Sequence, residues 1–330
     1  MIFIKAVELR ATYTAHTLSL PPQSHAAPGP DALITSRRFA AAVATARGLV
    51  VLTKPRLGFM SVLTAMTAYA AADTTGDAAR GGLAALATAL SAGGALSSNH
   101  WWERDTDGLM RRTRGRPIPS GVVHPHLALA WTLALSVAGV GLFAWRFSLL
   151  AAALALATIV LYGLVYTPLK RRTRWATEVG SLSGALPPLL GAAAADNVGS
   201  APAWILVAIL LLWQMPHFFA IGWMHRDDYR AAGFPLLPAV DTDGRRTAKW
   251  TFGYTAALVP VAVAPCAVGA AGWIYGVSAL VAGIGFLACA WRFLRDTSQR
   301  DLAARRCFVG SIVYLPVVML GVVIDRLVLG

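Results

Sequence analysis

Charge is scarce in this chain. Only 14% of its 330 residues are Asp, Glu, Lys or Arg, against about a quarter in a water-soluble domain. Acidic residues are the scarcer sign, 16 against 29 basic. Cysteine is nearly missing: Cys266, Cys289 and Cys307 form no C-x-x-C pair and no metal-ligand spacing, so they read as small buried apolar residues. The 30 glycines and 18 prolines follow no period, which excludes collagen-like order. No basic stretch is interleaved with aromatics as a stacking platform for nucleic acid would be, so a nucleic-acid partner is not expected. No charged, apolar and small-residue succession marks a cleavable signal, and no strand-like alternation marks a barrel.

What is abundant is apolar: 56% of residues are hydrophobic and the mean hydropathy is +0.57. Nine apolar runs, each near the ~20 residues that a bilayer helix needs, lie at about 55–72, 81–99, 126–146, 148–166, 177–195, 202–224, 251–270, 272–294 and 307–328. In hydrocarbon only helices or closed barrels satisfy the backbone. The expectation is therefore an all-α polytopic membrane protein with nine transmembrane helices. Of the 29 Lys and Arg residues, all but Arg80, Arg146 and Arg326 fall on one side of that arrangement. The positive-inside rule makes this side cytoplasmic, with the N-terminus inside and the C-terminus outside. A cell (inner or plasma) membrane is expected, or the inner mitochondrial membrane in a eukaryote. Residues 1–45, polar to mixed and holding Pro21-Pro22 and Pro28-Gly-Pro30, read as a solvated extension before a membrane domain at 46–330.

Polar residues concentrate in the long loops of the basic side. Asn99, Glu103 and Asp107 are spaced i, i+4, i+8, which puts them on one stripe of a continued helix. Three oxygen ligands at a helix end suit a hard cation such as Mg²⁺, which keeps waters and shares substrate phosphate oxygens. Arg111, Arg112, Arg114 and Arg116 follow directly, and guanidinium forks match phosphate geometry. A second cluster runs from Trp213-Gln214 through Pro216-His217 to Asp227, Asp228 and Arg230. If the helix continues through Pro216, then Gln214, His217 and Asp228 fall within about 40° of one another. Polar groups at membrane depth are expensive and usually functional. A third set is Tyr166-Thr-Pro-Leu-Lys170-Arg171: its cations serve either a phosphate or topology, and Tyr166 faces either a cation or the interfacial belt. Lys54-Pro55-Arg56 is open in the same way. His217 is the deepest histidine, and His100 and His225 are placed at the mouth of a cavity. Gly180-Ser-Leu-Ser-Gly184 has small-x-x-x-small spacing for close helix approach, and Pro187-Pro188 should bend its helix.

With these residues in view the chain resembles the UbiA-type intramembrane prenyltransferases, and within them the branch that acts on heme. The resemblance rests on Leu52-Thr-Lys-Pro-Arg56, Asn99 through Pro117, Tyr166-Thr-Pro-Leu-Lys-Arg171, Gly180 through Pro188, Trp213-Gln-Met-Pro-His-Phe218 and Asp228-Tyr-x-x-Ala-Gly-Phe-Pro-Leu-Leu-Pro238. It spans roughly residues 50–325, with Glu103 where many members carry Asp. The resemblance implies a helical bundle whose central cavity opens on the cytoplasmic side. It also implies transfer of the farnesyl group of farnesyl diphosphate to the 2-vinyl group of protoheme (heme B), heme being a substrate and not a cofactor. Mg²⁺ would be held by Asn99, Glu103, Asp107, Asp227 and Asp228, and the diphosphate by Lys54, Arg112, Arg116, Lys170 and Arg171. Trp213, Gln214, His217 and Tyr166 would meet heme or the prenyl chain. A heme-modifying oxygenase or terminal-oxidase assembly factors would be partners beside the bilayer. The alternatives are a prenyltransferase acting on a quinone precursor or other aromatic, and a heme carrier or transporter without chemistry; the hydropathy lacks the inverted-repeat symmetry expected of the latter.

Overall fold

The computed structural model describes residues 30–269 and 271–329, and every regular element among them is helical. Each of the nine apolar runs falls on a helix or helix pair: α2 (Pro55–Ala72), α3 (Ala78–Asp107), α4 (Pro125–Arg146), α5 (Leu149–Ile159) with a π-helical turn Val160–Tyr166 and α6 (Thr167–Leu169), the pair α7 (Ala176–Ala185) and α8 (Pro187–Ala194), α9 (Ala201–Met224), α12 (Arg245–Ala267), α13 (Trp273–Arg295) and α14 (Arg300–Leu329). Two short helices, α10 (Arg226–Ala231) and α11 (Leu237–Val240), follow α9. A further helix, α1 (Pro30–Leu52), runs through the boundary that the sequence places at residue 45. The rest of the expected extension, residues 1–29, lies outside the described residues.

Six spans are long and apolar enough to cross a membrane, and a seventh is reached when Thr35–Leu52 and Pro55–Ala72 count as one broken span. The count of nine therefore does not follow from length and composition. Two helices fall short for local reasons. α3 is diluted by glycine, serine and threonine and ends in Glu103, Arg104, Asp105 and Asp107. The Pro187-Pro188 pair divides α7 from α8 at Leu186, leaving pieces of 10 and 8 residues.

Among the described residues, those from Val43 onward belong to one compact unit and those up to Ala42 to another. Within the larger one, α9, α12, α13 and α14 share a core that includes Leu210, Leu258, Tyr275, Phe286 and Phe293. A second core joins α2, α3, α4, α5 and α8 around Tyr69, Phe143 and Leu190. The broken pair α7–α8 lies between these halves, α8 against α2 and α9 and α7 against α9 and the π turn.

Association in lipid cannot draw on a hydrophobic difference between helix and solvent, so it depends on close backbone approach at small residues. A Cβ on Gly191 of α8 would stand 1.8 Å from the Ala65 carbonyl oxygen of α2. The Gly180-to-Gly184 stripe works differently from the expected helix contact, because each glycine receives a side chain. A Cβ at Gly180 would meet the Tyr166 ring at 2.5 Å, and one at Gly184 the Gln214 amide oxygen at 2.0 Å. Gly191→Val should therefore lower the thermal midpoint of the detergent-purified protein, at a cost of about 1–3 kcal/mol for overpacking. Gly253→Ala, which meets nothing within 4 Å, should leave it in place.

Candidate active site

The site grows from the end of α3. Asn99, Glu103 and Asp107 are 1%, 5% and 0% exposed, on the stripe that the spacing predicts. A carboxylate moved from water to the interior loses several kcal/mol of solvation unless it is paired. Both are paired here, by cations from different segments. Lys170 Nζ lies 2.8 Å from Glu103 Oε1. Arg116 Nη1 lies 2.7 and 2.6 Å from the two oxygens of Asp107 and 4.0 Å from Glu103 Oε2. Lys54 Nζ donates to Asn99 Oδ1 at 2.5 Å, and Asn99 Nδ2 donates to Thr167 Oγ1 at 3.4 Å.

Each cation reaches the stripe through an irregularity in the backbone. Pro55 disfavours the right-handed helical conformation at the residue before it, which ends α1. Lys54 takes a left-handed one, φ 45° and ψ 66°, at a cost on the order of 1–2 kcal/mol for a residue with a Cβ. Pro168 has no N–H to give the preceding turn, and the chain upstream widens into the π-helical Val160–Tyr166. That turn brings the Tyr162 and Tyr166 rings to 5.4 Å, tilted at 44° to each other, and lays Tyr166 under the Lys170 ammonium at 4.7 Å. Arg116 is carried by the loop after α3, where Thr113 Oγ1 donates to the Asp107 carbonyl oxygen at 2.8 Å. Burial pulls the Lys170 pKa down, but the Glu103 carboxylate beside it, with the tyrosines around it, holds it well above the usual lysine range.

The second cluster departs from its expected geometry. α9 continues through Pro216 but ends at Met224, and His225 has left the helical region at φ −116°, ψ 22°. Asp228 consequently sits on α10, off the α9 face. Gln214 is buried against α7, donating to the Ser181 carbonyl oxygen at 3.3 Å. Trp213 and His217 face α14 instead, bonding to the carbonyl and the hydroxyl of Ser311 at 2.8 Å each. The His217 ring lies between Trp213 and Phe308, each 5.0 Å away. Asp227 is exposed and paired with Arg230 at 3.0 Å. Asp228 is half-buried near His225, whose pKa is lowered by burial and by Arg112 and raised by Asp228. The Ala-Gly-Phe block is a helix stop. Phe234 N–H donates to the Tyr229 carbonyl at 2.9 Å, Gly233 N–H to Arg230 at 3.0 Å, and Gly233 sits at φ +72°.

Tyr229 links the two clusters. Arg112 Nη2 donates to its hydroxyl at 3.5 Å, and Phe234 and Met110 join the core with which it packs. The candidate residues thus fall into groups. Asn99, Glu103, Asp107, Lys54, Arg116, Lys170 and Tyr166 come together; Arg112 and Asp228 lie beside Tyr229; Asp227, Trp213 and His217 are engaged elsewhere. Arg171 borders the first group through Thr106 Oγ1 at 3.1 Å. His100 is not at a mouth: it is 3% exposed, with both ring nitrogens unpartnered. Tyr162, Thr167 and Tyr229 were missed as members, because only the π turn and the α10 stop bring them in. Two concavities of about 570 Å³ lie away from the stripe, one beside α13 and α14 and one around Asp73–Ala78.

Among the described residues no three His, Cys, Asp or Glu side chains gather as a metal cage. The stripe offers two carboxylates and an amide oxygen, a hard-oxygen set that fits an ion sharing its remaining positions with a phosphate and water.

Residues 60–312 match the UbiA prenyltransferase family. The chain belongs to that family. It is 43% identical to a protoheme IX farnesyltransferase of Opitutus terrae, over 84% of this chain and 94% of that one. To the protoheme IX farnesyltransferase of Solibacter usitatus it is 42% identical, over 73% and 82%. Among solved structures, a digeranylgeranylglyceryl phosphate synthase superimposes with a TM-score of 0.71 at 15% identity, covering 85% of this chain and 98% of that one. A UbiA homologue of Archaeoglobus fulgidus bound to GPP and Mg²⁺ does so at 0.56 and 13%, covering 84% and 99%.

Removing one partner of a buried pair leaves the other charge uncompensated. Asp107→Asn should destabilise the protein by about 3 kcal/mol, and Arg116→Gln added to it should restore most of that loss while activity stays low. Thermal unfolding of the single and double variants measures both effects.

Proposed function

We propose that the chain transfers the farnesyl group of farnesyl diphosphate to the 2-vinyl group of protoheme, giving heme O and diphosphate. The observation that carries this reading is the buried stripe of Asn99, Glu103 and Asp107 ringed by Lys54, Arg116 and Lys170. The protoheme-directed names of relatives at up to 43% identity support the acceptor.

The three cations outnumber the two carboxylates of the stripe by one. An arriving diphosphate gives Lys54, Arg116 and Lys170 new oxygens to bind; Arg171 stands at the edge of the same group and Arg112 beside Tyr229. Mg²⁺ held by Asn99, Glu103 and Asp107, with Asp228 from the neighbouring segment, would supply Lewis-acid neutralisation of the leaving group. Charge develops on the bridging oxygen as the farnesyl C–O bond breaks, and donors already fixed around it stabilise that charge without reorganisation. The Tyr166 ring, already against one cation, and the tilted Tyr162 ring beside it offer π density to the allylic cation. Its empty orbital is filled by the terminal carbon of the vinyl group, and water then adds to the resulting porphyrin-side cation and releases a proton. Tyr166 would be an acceptor-side contact, and Gln214 would become one only by leaving the Ser181 carbonyl of α7. Trp213 and His217 would reach heme only by leaving α14.

The same reading has nine crossings, with the N-terminus and the basic loops cytoplasmic, and a catalytic domain at 46–330. With the native cysteines replaced, Gly199→Cys should react with an impermeant thiol reagent on intact cells and Gly115→Cys only after lysis; the reverse pattern would invert the topology. Neither added Cβ meets anything within 4 Å.

Purified protein given Mg²⁺, farnesyl diphosphate and either heme B or a quinone precursor should add a farnesyl and a water only to heme, read by product mass. Glu103→Gln should lower that rate by about 10²–10³-fold. Farnesylation of the quinone precursor alone, or an unchanged rate in Glu103→Gln, would overturn the assignment.

A further inference from the structure

A groove of about 570 Å³ runs between α13 and α14, on the opposite side of α14 from the residues that pack against α9. Its wall is apolar, and it exists because glycines line it. Gly285 has nothing within 4 Å of a would-be Cβ, and Gly310 faces the Cys289 thiol and Phe286 at 3.4–3.5 Å. Three features set it apart from an ordinary lipid-facing seam. Arg305 and Arg306 border it at the basic end of the bundle, exposed and without an acidic partner among the described residues. Arg292 and Arg306 both lie close enough to Cys289 to act on it electrostatically. Tyr314, 1% exposed, lines the groove with a hydroxyl that has no hydrogen-bond partner.

An arginine rim over an apolar slot, with a lone hydroxyl deeper in, matches an amphiphile with an anionic head. Arg306 and Tyr314 are about 12 Å apart along the helix axis. The tyrosine ring leans back toward the start of the helix, which raises its hydroxyl toward the glycerol esters of a lipid whose phosphate sits at the arginines. A second copy of the chain fits less well, because a symmetric contact through this seam brings the arginine pairs of both copies together. We infer that the α13–α14 groove is a binding site for an anionic glycerophospholipid, its phosphate on Arg305 and Arg306, an ester carbonyl on the Tyr314 hydroxyl and one acyl chain along Gly285 and Gly310.

The test is a titration of the delipidated full-length protein in neutral detergent, read by native mass spectrometry. Its arms are phosphatidylglycerol, phosphatidylcholine with the same acyl chains, and inorganic phosphate. Phosphatidylglycerol should bind more tightly than phosphatidylcholine, and inorganic phosphate should not compete with it. At about 1 kcal/mol per basic residue near a membrane surface, Arg305→Gln/Arg306→Gln should weaken phosphatidylglycerol about 30-fold and phosphatidylcholine, whose choline offsets its phosphate, by much less, so that the preference is lost. Tyr314→Phe should weaken both lipids about fivefold. The arginines are exposed, so the double variant is expected to fold, and an unchanged thermal midpoint checks that it does. Equal binding of the two lipids by the native protein, an unchanged preference in the double variant, or a groove closed by a second copy in cross-linking of Gly310→Cys would each overturn the proposal.

Discussion

Two carboxylates at the buried end of α3 need opposite charge within reach, and much of the irregularity in this fold supplies it. Glu103 and Asp107 are 5% and 0% exposed, and each left unpaired would cost several kcal/mol. Their partners come from outside α3. Lys170 follows the π turn, Arg116 sits in the loop beyond Asp107, and Lys54, which holds Asn99, occupies the break between α1 and α2. The left-handed Lys54 and the widened turn before Pro168 are both departures from ideal helix. Each places a cation on the same stripe. Sparsely populated backbone states of this kind persist where the surroundings over-determine them.

The same compensation explains how a site can be stable alone and still receive an anion. Three basic side chains face two carboxylates where water is scarce and electrostatic interactions are strong. An anionic substrate offers replacement oxygens to side chains that are already positioned. The carboxylates released from lysine and arginine would then be free to serve as hard ligands for a divalent ion. Ordering these groups ahead of the reaction is what allows them to act on charge as it develops. His100, next to Asn99 in the chain, is buried with neither ring nitrogen bonded.

Much of this arrangement could be read from the sequence. The i, i+4, i+8 spacing put Asn99, Glu103 and Asp107 on one face because α3 continues as a helix through Asp107. The apolar runs became helices because hydrocarbon permits little else. Reading failed where a local backbone event redirects side chains. Gln214, His217 and Asp228 share a helical face only if α9 goes past His225, and it does not. The stripe from Gly180 to Gly184 signalled close packing but could not say that a tyrosine ring and an amide, not a backbone, fill the space. Periodicity cannot reveal a π turn, so Tyr162 and the Tyr229 bridge were invisible to it. The heme-directed blocks proved to be partly architectural: the Gly233-Phe234 step ends α10 and sets Tyr229 toward Arg112.

The most direct measurement is an experimental structure of the protein with farnesyl thiodiphosphate, an unreactive analogue, and Mg²⁺. Lys170 and Arg116 should have left Glu103 and Asp107 for phosphate oxygens, with the ion between those carboxylates and the diphosphate. Both ion pairs intact, with the diphosphate bound at another place in the bundle, would contradict the central claim.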